Sequence, residues 1–230
     1  MGAITRAAAN NFTTGGVILP AGINDASVAS ITELENTATG GAMTLISEQT
    51  ASSSSTVNFT SGINSTYPVY QFQVINAHPS DNSQLRLNFS TDGGSNFNTN
   101  IHSTAFQVYH KEDDTSTQLN YRTGDDLANG TDGDGVTNQF APISQTIGND
   151  NKMCGVSNIY LFNPSSTTFV KHFMATTQVY MDRDTPQLAS VTQYYAGYIN
   201  TTNAVNGISF KMTDGTIDSG TFKMYGIKDS

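Results

Sequence analysis

TYPVYQFQVINAHPSDNSQLRLNFSTDGGSNF, residues 66–97, carries the clearest pattern in the chain. Tyr70, Phe72 and Val74 alternate with Gln71 and Gln73, and Leu85, Leu87 and Phe89 alternate with Arg86 and Asn88. A two-residue apolar period turns one face of a segment into a core and the other towards water, so both segments read as half-buried strands. Between them lies His78-Pro79-Ser80-Asp81-Asn82. Pro79 withholds a backbone donor and keeps the preceding residue extended, while Asp81 and Asn82 offer side chains that bond back to a turn. Asp92-Gly93-Gly94 closes the second segment with residues that accept positive φ. The stretch predicts two antiparallel strands joined by a turn.

The same period recurs on both sides of this pair. Met43–Ser47 and Thr56–Thr60 read as strands across the loop Ala51–Ser55, and Ala105–His110 alternates again, with Leu119–Tyr121 as a short partner across the turn Lys111–Thr115. Residues 123–138, TGDDLANGTDGDGVTN, have no apolar periodicity and read as an exposed loop. Ile143–Ile147, Ser157–Phe162, Phe169–Ala175 and Val191–Ile199 follow, and a last predicted hairpin sets Gly207–Met212 against Thr221–Ile227. So many short strands cannot cover their apolar faces in one open sheet. The expected fold is all-β, an antiparallel two-sheet sandwich of jelly-roll type. No repeat at a period of about 20–50 residues points to a solenoid or propeller.

Residues 1–40 read differently and are expected to form an extended anchoring arm, with the sandwich domain over 41–230. Val17-Ile18-Leu19 lies between Gly15-Gly16 and Pro20-Ala21-Gly22, and Asp25 can cap at most one helical turn. Such an arm has no core of its own. An ordered arm would need a neighbouring subunit.

A chain of 230 residues can bury a real core, yet only 37% of it is hydrophobic and 13% charged. The net charge of -9, with ten scattered Lys and Arg residues, argues against nucleic acid as a partner. No stretch approaches the ~20 apolar residues of a membrane helix, the N-terminus shows no signal-peptide core, and Arg6 stands where a myristoylation signal needs Ser or Thr. Synthesis in a cytoplasm without membrane insertion is the expectation. Cys154 is the lone cysteine, and its neighbours Met153, Gly155 and Val156 predict a small buried thiol.

Several residues merit weighing as a site. Asp125, Asp126, Asp132 and Asp134 form an acidic cluster with the two-residue spacing of calcium loops. Gly130 nevertheless occupies the place of the first EF-hand ligand and no Glu closes the loop, so a solvated turn is the expectation. His78, His102, His110 and His172 stand far apart, and a zinc site would need tertiary structure to gather them. His110 beside Glu112, Asp113 and Asp114 is the one cluster whose carboxylates would favour a charged imidazole, though a hairpin turn explains it equally well. Asp81, Asp92, Asp182 and Asp184 are acidic and loop-borne, but nothing pairs two of them across a groove as glycosidases require. No G-x-S-x-G elbow occurs. Tyr67, Tyr70, Tyr194, Tyr195 and Tyr198 suit either sugar stacking or packing, with packing favoured. The reading assigns no catalytic, cofactor or metal residue and no enzymatic activity.

Two stretches carry a resemblance. Thr66–Asn98, followed by Tyr109-His110-Lys111-Glu112-Asp113-Asp114, together with the closing run Ile217–Lys228 (IDSGTFKMYGIK), resembles a family of uncharacterised virion-associated proteins of tailed phages from marine bacteria. The arm is similar as well, in Gly16–Asn24. The resemblance spans most of residues 42–228 and implies a place of work, the phage particle, without a chemistry. The expected role there is that of a non-enzymatic structural protein that decorates or builds the capsid or tail. The coreless arm, read by itself, leads to the expectation that residues 1–40 anchor the chain to other virion proteins and that a homo-oligomer of closed symmetry, a trimer, buries surface the monomer leaves exposed. A receptor-binding tail fibre or tip module that grips host glycan is the alternative. A polysaccharide-degrading enzyme is the third.

Overall fold

The computed structural model describes residues 43–131, 140–181 and 188–228. These hold twelve strands: β1 Met43–Ser54, β2 Val57–Phe59, β3 Val69–Pro79, β4 Ser83–Ser90, β5 Ile101–Lys111, β6 Thr117–Tyr121, β7 Ala141–Ile147, β8 Gly155–Phe162, β9 Lys171–Met181, β10 Ala189–Ile199, β11 Gly207–Met212 and β12 Ile217–Ile227. All ladders are antiparallel. One sheet has eight strands in the order β1-β12-β3-β8-β9-β10-β5-β6, the other four in the order β2-β11-β4-β7. The two form a β-sandwich, as the alternation predicted. The expected arm over 1–40, with Asp25, lies outside the described residues.

The predicted pair of Ala105–His110 with Leu119–Tyr121 is a hairpin, β5 against β6, but the opening pair and the last pair are not. β3 lies in the eight-stranded sheet and β4 in the four-stranded sheet, and the same is true of β12 and β11. Each pair is an arch that carries the chain from one sheet to the other. The two arches lie side by side, β12 against β3 and β11 against β4. Their crowns bond to one another: Ser80 N–H donates to Thr216 O at 3.0 Å, Thr216 N–H to Ser80 Oγ at 2.9 Å, and Asp214 N–H to Ser83 Oγ at 2.9 Å. Gly215 completes the second crown at φ 69°, where a Cβ would fall 2.3 Å from Ser80 Oγ. A side chain has no room there.

This winding repeats along the chain. β1, β12, β3 and β8 lie over β2, β11, β4 and β7, the interleaved order of a jelly roll, while β9, β10, β5 and β6 extend the larger sheet past β8. Two further expectations shift. The serine-rich segment 51–54 belongs to β1, because it pairs with residues 217–220 of β12. The strand expected over Phe169–Ala175 instead begins at Lys171 and runs to Met181, in register with the whole of β10.

Alternation decides what fills the space between the sheets. Phe72 of β3 and Phe222 of β12 point inwards from the large sheet, and Phe59 of β2 and Phe210 of β11 from the small one. Phe210 is the hub, its ring centre 5.3 Å from that of Phe222, 6.2 Å from Phe72 and 6.5 Å from Phe59. Offset and edge-on contacts of this kind add to the area buried. Phe210→Ala should lower unfolding free energy by about 3–5 kcal/mol in a denaturant titration, since a cavity would open where four strands meet.

Candidate interaction surface

The large sheet has twice as many strands as the small one. Its inner face is covered by the small sheet, with β7 packing across β9 and β10, and by the chain segment after β6. That segment is the first half of the acidic stretch expected to be an exposed loop, and the structure corrects the expectation. Leu127 is buried; its N–H donates to Ser103 Oγ at 2.8 Å, and its carbonyl accepts from Ser103 N–H at 2.9 Å. Asp125 is buried too, accepting from Arg122 Nε at 2.8 Å, Gln84 Nε2 at 3.1 Å and Gln145 Nε2. Gln145 also donates to Gln193 Oε1 at 2.6 Å, and Gln193 donates to Pro142 O at 2.8 Å. Both carboxylate oxygens of Asp125 are thus engaged within the protein. Asp126 accepts from the Tyr121 hydroxyl at 2.6 Å, and Asp132 and Asp134 lie outside the described residues. Asp125→Ala would take the carboxylate from Arg122 and Gln84 and leave Gln145 only its bond to Gln193, and should cost about 1–3 kcal/mol in thermal or chemical unfolding.

The tyrosines divide between the two faces. Tyr70 and Tyr195 are core residues; Tyr195 bonds Ser103 Oγ at 2.7 Å, and Tyr70 donates to Asn64 O at 3.0 Å. Tyr67 packs edge-on against Tyr70 and fills the space a side chain at Gly226 would need. Tyr194 and Tyr198 face outwards. Burial raises the hydroxyl pKa of both Tyr70 and Tyr195, with hydrogen bonds to Asn64 and Ser103 opposing it in part.

The other candidates stay apart. His110 Nε2 meets Asp114 Oδ1 at 2.9 Å in an exposed turn, and His78 Nδ1 sits 2.7 Å from Met153 O. Asp92 accepts from Ser90, from Asn96 N–H and from Asn96 Nδ2, bonds that pull its pKa down to about 2. Asp81 receives a 3.5 Å contact from Ser80 Oγ, and Asp182 and Asp184 lie outside the described residues. Among the described residues no three His, Cys, Asp or Glu side chains come together. Cys154 is not buried as expected. Met153 and Gly155 turn inwards, so alternation leaves its thiol half-exposed, 3.7 Å from Asn76 Oδ1. Lys171, which sequence reasoning passed over, is fully buried; its ammonium donates to the carbonyls of Phe169 and Thr201, and burial lowers its pKa.

What sequence reasoning missed most is the outer face of the large sheet. Phe106 of β5 stacks on Tyr194 of β10 with ring centres 4.8 Å apart and planes 13° from parallel. Two rows along, past Ala196, Tyr198 stands between His102 of β5 and His172 of β9, at 5.4 and 6.0 Å. Beside that row a depression of about 370 Å³ opens over Ala196 and Thr104, walled by His102, His172, Phe162 and Met174. Met174 is 54% exposed and Leu119 of β6 is 70% exposed. None of the outward positions of β5, β6, β8, β9 and β10 is Asp, Glu, Lys or Arg. Sheet faces that meet only water seldom show so many large apolar residues together. The signal was present in β10, where Tyr194 and Tyr195 put an aromatic on each side of the same strand.

Compared with known proteins, the chain matches no family model, and no curated protein or solved structure matches it.

The buried phenols fix an alkaline limit. Because their folded-state pKa values lie above the unfolded value of about 10, the folded chain holds protons there that the unfolded chain releases. The stabilisation is complete below about pH 10 and is lost as pH rises further. The melting temperature should therefore fall above about pH 10, and fall less steeply in Tyr195→Phe.

Proposed function

We propose that this chain is a non-enzymatic structural protein of a tailed-phage particle that works by surface contact, decorating or building the capsid or tail. One observation supports contact as its mode of action: the broad, uncharged, aromatic-rich outer face on β5, β8, β9 and β10 of a molecule whose net charge is -9. The phage assignment rests on the motif resemblance in Thr66–Asn98 and Ile217–Lys228, and the anchoring role is given to residues 1–40. A jelly-roll sandwich suits such work, being rigid and offering wide faces, but the fold alone carries no function.

Binding of host glycan is the second reading, favoured by the Tyr198 ring set between two imidazoles that could donate to sugar hydroxyls. Immunogold labelling of purified particles, with antibody raised against the full chain, tests the first. Gold on the head or along the tail is expected. Loss of label together with absence from particle mass spectrometry overturns it. Label confined to the fibre tips, with saturable glycan binding lost in Tyr198→Ala, would select the second reading.

A further inference from the structure

We infer that two copies of this chain pair back to back through the outer faces of their eight-stranded sheets, with Met174 of each copy seated in the depression over Ala196 of the other. The inference deepens the contact reading above by naming the partner, and it does not depend on the phage assignment.

Three observations point to a second copy. The first is charge. Two molecules of net charge -9 repel, and the outer face of β8, β9 and β10 is a place where they can meet without setting carboxylates against one another, those of Asp114 and Asp126 being bonded to His110 and Tyr121 at the β5–β6 edge. The second is extent. Three strands of 11 residues with β8 of 8 and β6 of 5, at about 3.3 Å per residue and about 4.8 Å spacing, span on the order of 700 Å², close to what each partner of a standard interface buries. The third is shape. Met174 protrudes, the depression of about 370 Å³ lies beside it, and Met174 and Ala196 are register partners across β9 and β10. A two-fold axis passing between knob and hole seats both at once, as an isologous contact requires. A flexible thioether suits such a socket. The stacked Phe106 and Tyr194 lie two residues further along β5 and β10, within the same contact. One flat face that fits itself gives a dimer, whereas the trimer expected from the sequence would need two different patches on each copy.

Sedimentation equilibrium of the full chain tests this. Twice the 24.6 kDa chain mass is expected, with a dissociation constant of about 1 µM or tighter. Met174→Glu, which places an unpaired charge in the socket, and Ala196→Leu, which fills it, should each weaken the dimer on the order of 100-fold while leaving the circular dichroism melt near that of the parent. Both positions face outwards, so folding is spared. A parent chain that stays monomeric, because residues 1–42 or nothing at all covers the face, overturns the inference. So does a trimer, or a dimer that neither substitution weakens. A monomer still found on particles would sink the pairing and leave the virion role standing, and a dimer absent from particles would do the reverse.

Discussion

Everything in this molecule hangs on the contact between Phe210 and the aromatic rings opposite it. Phe72 and Phe222 come from neighbouring strands of the large sheet, Phe59 and Phe210 from neighbouring strands of the small one, and their rings meet at 5.3–6.5 Å where the two arches stand side by side. Backbone ladders hold each sheet together but cannot join one sheet to the other. Only side chains cross the gap, and the buried aromatics supply much of the apolar area that drives the halves together. The hydrogen bonds between the arch crowns fix the register, so that these rings and not their polar neighbours face inwards.

The mismatch in width between the sheets creates the remaining architecture. A four-stranded sheet cannot cover the inner face of an eight-stranded one, and the uncovered part must find other cover. Leu127 and Asp125 supply it, and the polar atoms thereby buried satisfy one another through Arg122, Gln84, Gln145 and Gln193. A buried carboxylate is tolerated because donors surround it. The extra strands have a second effect on the opposite side, where they widen the outer face and place Phe106, Tyr194, Tyr198 and Met174 in one plane.

Strand positions were legible because alternation is a local property: Tyr70, Phe72 and Val74 announce a buried face whatever lies beside it. Pairing was not legible. A hairpin and an arch both join two alternating segments by a short polar turn, and they differ only in whether the second strand folds into the same sheet or into the one opposite. Nothing in His78–Asn82 or Thr213–Thr216 distinguishes these outcomes, which are decided by the alignment of β3 with β12 and of β4 with β11, more than a hundred residues away. Asp125 shows the same limit. Its local sequence is that of a solvated loop, and its burial follows from Gln145 and Gln84, which no short window contains. Gly155 and Met153 did foretell the turn of Cys154 outwards, had parity been weighed above the apolar character of its neighbours.

The place of β12 in the large sheet bears on how the chain is made. This strand follows all the others in sequence yet lies between β1 and β3, among the first. During synthesis the early strands leave the ribosome with open edges, and the sheet cannot close until residues 217–227 arrive. Long-range closure of this kind is slow, and β1 and β3 wait with unpaired backbone in the interval. The nascent chain is then at its most vulnerable to association with its neighbours, and a premature stop anywhere before Ile217 would leave β1 without any partner in its sheet and β3 with at most one.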